Sequence, residues 1–308
     1  MRNAFTTELS VIIEKEESKK IKKTYLLTGD LGFAVFDEIK KKYPERVINS
    51  GISEQNMVGT ASGMAMLGKD VFIYSIIPFL LYRTFEQVRN DICYPNLPVK
   101  LIGVGASLSY ADAGATHHPL EDLKVADSLI NLTVLSPSDP EEVRVLMKQI
   151  HTINGPVYMR ITRNGEPIIH NKHSEIKLGK ALKLIEGRDV LIISTGVVTK
   201  IALEAADIIS KEKRKSVEVL EIHTFKPFDY DTVRKEALGK NLVVSVEDNT
   251  GALSEKVASA ILGLEKPKLI SFKLPNEFTH ISGTRDYLFD TYGISTKEIV
   301  SAIRKEIE

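Results

Sequence analysis

RVINSGISEQNMVGTASGMAMLGKDVFIYSI, residues 46–76, contains a whole strand–helix–strand unit. RVINSG (46–51) reads as a short strand. SEQNMVGTASGMAML (53–67) reads as a helix whose Gly and Ala content suits close packing on a sheet, and DVFIYSI (70–76) as a buried strand. The alternation continues outward. Upstream, Phe5, Leu9, Ile12 and Ile13 recur at helical spacing over 5–15, TYLLTGD (24–30) is a strand ending in a turn, and 32–42 is predicted helical. Downstream come a helix over 78–93, strand VKLIGVG (99–105), the polar loop SLSYADAGATHH (107–118), a helix from about Leu120, strand LTVLSP (132–137), a helix over 140–150 and strand PVYMRIT (156–162). NGEPIIHNKHSEIKLGKAL (164–182) breaks the pattern. Beyond it DVLIISTG (189–196), VEVLEI (217–222), NLVVSVED (241–248) and KLISFKL (268–274) are strands with helices between them, one over 198–210. The prediction is an α/β protein of two parallel-sheet domains, 1–165 and 183–308, joined by a linker at 166–182.

Composition narrows the function. The chain has 308 residues, 43% hydrophobic and 27% charged, with 41 Lys plus Arg against 41 Asp plus Glu. A net charge of zero gives no basic field for nucleic acid or a membrane surface. The Lys clusters at 19–23 and 40–42 read as solvated faces. Cys93 is the only cysteine, so no intramolecular disulfide forms, which suits a reducing cytoplasm. The first residues are amphipathic and acidic, unlike a signal peptide, and no stretch reaches the ~18 apolar residues of a membrane span.

In open sheets of this kind ligands bind beyond the carboxyl ends of the strands. That places Asp30, Glu54, Pro78, Phe79, the 106–118 loop and Arg163 at one edge. Taken singly, each has a plain structural reading. Glu54 is an acid at a helix start, where the dipole favours it. Phe79, Tyr82 and Phe85, at i, i+3 and i+6, form an aromatic stripe predicted on one helix face, an arrangement usual in cores. Arg160 and Arg163 close a strand, where arginines are most often structural. His117 and His118 can be a cap and a solvent-facing neighbour.

Together the strings are more specific. GISEQNMVGTASGMA (51–65), PFLLYRTFEQVRNDI (78–92), DAGATHHPLEDL (112–123), MRITRNG (159–165) and TGDLG (28–32) resemble the pyrimidine-binding domain of the transketolase family. EIHTFKPFD (221–229) and SGTRDYLFDTYGIS (282–295) resemble its C-terminal domain, which is expected to help dimerise. The resemblance implies thiamine diphosphate as cofactor. Glu54 then contacts a ring nitrogen of the aminopyrimidine and shares a proton with it, as catalysis requires. Phe79 and Tyr82, with Phe85 beside them, line the ring pocket, and Asp30 faces the thiazolium side. His117 matches the family's substrate-site histidine, a catalytic and binding role, and Arg163 its phosphate-contacting arginine, with Asp112 at the substrate.

The family's G-D-G signature for the diphosphate and its ion does not occur here. The resemblance therefore implies a second polypeptide that holds Mg2+ (or Ca2+) and the diphosphate, no metal ligand in this chain, and a heterotetramer with cofactors at interfaces. Gly105 stands where many transketolases have histidine, and Ala113 where aspartate is usual, which predicts altered hydroxyl selectivity. The implied reaction is transfer of a two-carbon ketol unit between a ketose or ketose phosphate and an aldose. Alternatives are a beta chain of a 2-oxo acid dehydrogenase, a deoxyxylulose-phosphate-synthase-like enzyme, and a non-catalytic regulatory relative.

Overall fold

The computed structural model describes residues 1–307 apart from 22, 33, 164, 172, 173 and 214. Lys22 of the first lysine cluster, Phe33 of the stretch 32–42, Asn164 of the arginine motif and linker positions 172 and 173 therefore lie outside the described residues. The first half runs α1 (Arg2–Ser18), β1 (Thr24–Thr28), α2 (Asp37–Lys42), β2 (Val47–Asn49), α3 (Glu54–Met66), β3 (Asp70–Ile76), α4 (Phe85–Gln87) within a helical run over 78–93, β4 (Val99–Val104), α5 (Asp122–Asp127), β5 (Thr133–Leu135), α6 (Pro140–Ile150) and β6 (Val157–Ile161). The second half runs β7 (Leu182–Ile185), β8 (Val190–Ser194), α7 (Thr199–Lys213), β9 (Val217–Glu221), β10 (Thr224–Lys226), α8 (Tyr230–Ala237), β11 (Leu242–Val246), α9 (Ala252–Ile261), β12 (Lys268–Phe272), α10 (Arg285–Thr291) and α11 (Thr296–Ile307).

Two mostly parallel sheets result, so the α/β class holds. The first has the order β10-β5-β6-β4-β3-β1-β2 and the second β12-β11-β8-β9-β7. Strands β3, β4 and β6 are buried almost throughout, as expected of central strands in a parallel sheet covered on both faces. Helix α1 buries Phe5, Leu9 and Ile13 in the core of the first sheet, each worth about 1.5–3 kcal/mol as an upper estimate. Helix α6 starts with a reciprocal cap: Asp139 accepts the Glu142 N–H at 2.8 Å, and Glu142 accepts the Ser138 N–H at 2.7 Å.

Four local readings change. The stretch 32–42 is helical only from Asp37, because Gly32 (φ +86) and Ala34 (φ +61) take left-handed backbone that interrupts a helix. The strand β7 begins at Leu182, inside the segment read as linker, and pairs antiparallel with β9. The strand β10 comes from the second half yet pairs antiparallel with β5 of the first sheet. The run 78–93 is not one α-helix: π-turns over Pro78–Tyr82 and Val88–Cys93 flank α4. Thr84 donates its hydroxyl to the Leu80 carbonyl within that run.

A buried charge network ties the halves together. Arg160 on β6 lies 3.1 Å from Asp122 and 2.9 Å from Asp248, which follows β11. Asp122 also accepts hydrogen bonds from the Tyr158 hydroxyl at 2.7 Å and the Asn249 amide at 2.9 Å. Burial pushes the Asp122 carboxyl up to about 6 despite the guanidinium beside it. The sequence reading of Arg160 as structural is the one the geometry gives.

Candidate active site

The carboxyl ends of β1, β2, β3, β4 and β6 carry the candidate residues. Glu54 opens α3 shortly after β2 and is 2% exposed. Its carboxylate accepts a hydrogen bond from Arg83 Nη1 at 2.6 Å. The Arg83 guanidinium lies over the Phe79 ring, 4.4 Å from its centroid. Phe79 in turn meets the His117 ring edge-on, with centroids 5.3 Å apart. His117 meets Tyr110 at 5.9 Å, and Arg163 lies over Tyr110 at 5.2 Å. Glu54, Arg83, Phe79, His117, Tyr110 and Arg163 thus form one continuous row of contacts.

The loop that carries His117 is fixed at several points. His117 Nδ1 is engaged by the Thr116 hydroxyl at 2.9 Å, which leaves Nε2 for other partners. His118 is buried, with Nε2 2.8 Å from the Tyr110 carbonyl. Burial pulls its imidazole down from the usual range. His118 is therefore a structural anchor, and the solvent-facing alternative does not apply to it. Ser109 Oγ accepts the Arg163 backbone N–H at 2.8 Å. Asp112 and Arg163 line one cleft of about 360 Å³ together with Ser109, Thr284 and Arg285. Gly105 has φ +92, and a Cβ there would overlap the Tyr110 ring. Tyr110 occupies the room that a larger residue at 105 would need.

Other expected members sit apart. Tyr82 is half-buried, its hydroxyl oxygen is enclosed without a hydrogen-bond partner, and burial followed by the charges of Asp122 and Glu121 pushes its phenol far up. Phe85 lines a different cavity of about 360 Å³ with Arg89, Cys93, Tyr94 and Ile130. The π-turn explains this: its wider turn shifts the register, so i, i+3 and i+6 no longer share a face. Asp30, at φ +57, exchanges hydrogen bonds with Asn49, its N–H and Oδ1 each 3.0 Å from the amide. It stands at the β1–β2 edge outside the contact row. Sequence reasoning missed Arg83 and Tyr110. The signal for Arg83 was its place four residues after Phe79 within the quoted aromatic string.

Comparisons with known proteins decide the family. Residues 2–166 match the family model of the transketolase pyrimidine-binding domain, and residues 179–299 that of the transketolase C-terminal domain. The chain belongs to the transketolase family. It is similar to a 6-deoxy-6-sulfo-D-fructose transketolase subunit of Clostridium sp., 34% identical over 87% of this chain and 83% of that one. An apulose-4-phosphate transketolase subunit of Phocaeicola vulgatus is 30% identical over 97% and 94% of the two chains. A solved structure described as "Split gene transketolase, inactive beta4 tetramer" superposes with a TM-score of 0.88 at 31% identity, covering 99% of this chain and 97% of that one. This chain spans 83%, 94% and 97% of the three relatives' own lengths, and the first two are subunits by their own description. Among the described residues no helix is long and apolar enough to cross a membrane.

Proposed function

We propose that this transketolase-family chain is the pyrimidine-side half of a two-chain, thiamine-diphosphate-dependent enzyme that transfers a two-carbon ketol unit between a ketose or ketose phosphate and an aldose. The observation that carries the reading is the row from Glu54 to Arg163: a buried carboxylate at one end, a histidine in the middle and an arginine at the other.

The residues present fit the aminopyrimidine. Glu54 offers a buried carboxylate and Phe79 an apolar ring face beside it, bridged by Arg83. When bound, thiamine diphosphate supplies the electron sink at which the carbon–carbon bond is broken and remade. Glu54 holds and moves the proton at the pyrimidine ring nitrogen. Arg83 fixes the orientation of that carboxylate and is itself held against Phe79. Phe79 keeps water from the ring. His117 Nε2 exchanges a proton with a substrate oxygen, since Nδ1 is held by Thr116. Arg163 and Asp112 receive the far end of the sugar, and the planar guanidinium suits a phosphate there.

The diphosphate and Mg2+ need other ligands. Among the described residues the clusters with metal-ligand spacing are Glu16–Asp70–His151 and Glu142–His170–Glu221, and neither includes a member of the row. We assign the ion to a partner chain with the family's diphosphate-binding domain, in a heterotetramer. The relative whose printed description is an inactive β4 tetramer supports self-association of this chain and inactivity without the partner. The lone cysteine, buried and with its thiol pushed up to about 11 by burial, supports a cytoplasmic setting.

Replacing Glu54 by Gln tests the mechanism. In a reconstituted mixture, E54Q should lower kcat for ketol transfer by at least about 100-fold, with an unchanged thermal melt. Undiminished kcat would contradict it.

A further inference from the structure

A second cluster of ligand-type side chains lies away from the row, where the first sheet, the connecting segment and the second sheet meet. Glu142 on the first turn of α6, His170 in the connecting segment and Glu221 at the end of β9 bring two carboxylate oxygens and one imidazole nitrogen within 4.8 Å of one another. Glu142 and Glu221 are 0% exposed and His170 4%.

Hydrogen bonding leaves these groups short of partners. Glu142 Oε2 accepts from Ser138, but the enclosed Oε1 accepts nothing. Neither buried oxygen of Glu221 receives a hydrogen bond. His170 Nε2 stands 2.8 Å from Glu221 Oε2, yet without the alignment of an N–H donor. On the other side of the ring, His170 Nδ1 lies 3.2 Å from Asp139 Oδ2, likewise without the alignment of an N–H donor. That oxygen is fixed by the backbone N–H groups of Ile169 and His170, each at 2.7 Å. A carboxylate behind one imidazole nitrogen, with the other nitrogen facing further carboxylates, is how metal-binding histidines are oriented.

The charges point the same way. Asp139, Glu142 and Glu221 are buried together, and among the described residues none of them pairs with a Lys or Arg. Unpaired buried charge is costly, and a divalent cation would offset two of these three carboxylates where an imidazolium at His170 offsets one.

We propose that Glu142, His170 and Glu221 form a buried site for one divalent transition-metal cation. The mixed nitrogen and oxygen donors suit Zn2+ or Mn2+ and not a thiolate-seeking metal. The site would staple the connecting segment between α6 and β9 and so hold the two sheets in register, a structural role separate from the cofactor's own ion. It does not depend on the reading of the active site. The other cluster, Glu16–Asp70–His151, is a poorer candidate, because Glu16 is already used by the Thr24 N–H and hydroxyl and by Arg46.

The test is metal retention and melting of the full chain, unfolded in urea with chelator and refolded with or without ZnCl2 or MnCl2. About one ion per chain should survive gel filtration, and the melting midpoint should rise by about 5 °C or more over the metal-free protein. The near-isosteric E221Q should lose both effects, while H151A at the other cluster should keep both. No retained metal and no shift in the wild type would overturn the proposal and leave a protonated His170 bridging the acids. Retention of both effects by E221Q, or their loss in H151A, would overturn it as well. Should E221Q fail to fold, Co2+ loaded into the wild type must show ligand-field bands of a bound nitrogen–oxygen site, and a spectrum of aquated Co2+ would reject the site.

Discussion

Glu54 owes its orientation to Arg83, and Arg83 owes its own to Phe79. The residue scale is therefore where the account is most exposed. Arg83→Met should leave the fold intact, because its side chain is 43% exposed. It should lower kcat about 10-fold or more with little change in the substrate KM, since the Glu54 carboxylate loses the donor that orients it. An unchanged kcat would show that Arg83 does not position Glu54. Gly105 is the second sensitive residue. Its φ of +92 and the closeness of the Tyr110 ring mean that G105A must strain the backbone and push Tyr110 off His117. A loss of about 1–3 kcal/mol in urea unfolding is expected, and a neutral substitution would contradict the packing described. The placement of Glu54, His117 and Arg163 at one sheet edge was legible because each sits in a distinctive string at a strand end. Arg83 and Tyr110 were not: their roles lie in stacking contacts between a π-turn, a loop and a strand end, which no local pattern encodes.

At the scale of elements, strong periodicity was reliable and irregular backbone was not. Residues 70–76 and 140–150 have the bounds expected from their β-branched run and their Pro140 start. The run 78–93 misled because an aromatic stripe at i, i+3, i+6 presupposes ordinary α-helical turns, and the π-turns send Phe85 to another cavity. The three residues of β10 could not be read at all, since their partner β5 lies far earlier in the chain. An element-level prediction concerns α9. Glu247 caps its first turn, accepting the N–H groups of Leu253 and Ser254 at 2.9 Å each. Burial pushes its carboxyl up to about 7 against the pull of those donors. The folded state thus holds this proton more tightly than the unfolded one, whose carboxyl has an ordinary value. The stability linked to Glu247 is full below about pH 4.5 and is lost as pH rises to about 7, by a total of about 3 kcal/mol. Glu247→Gln, neutral throughout, should flatten that part of the stability–pH curve in urea titrations at pH 5 and 8. Parallel curves for wild type and E247Q would disprove the linkage.

At the scale of the whole molecule, the two sheets are joined by buried charges. Arg160 between Asp122 and Asp248 is the centre of that joint. Arg160→Met strands two carboxylates and should cost about 3–5 kcal/mol. The triple replacement of Arg160, Asp122 and Asp248 by apolar residues should recover part of that loss, and a cost below about 1 kcal/mol for R160M would mean the joint is held by packing alone. The two-domain α/β plan was readable from strand and helix alternation, but this joint was not, because Asp122 and Asp248 are far apart in sequence. The central claim is that this chain holds only one end of the cofactor and needs a partner for the other. Calorimetric titration of thiamine diphosphate with Mg2+ tests it most directly, first into this chain alone and then into its mixture with a chain that carries the family's diphosphate-binding domain. Binding in the mixture, near one cofactor per pair, with none to this chain alone is the predicted result. Tight Mg2+-dependent binding to this chain by itself would contradict it.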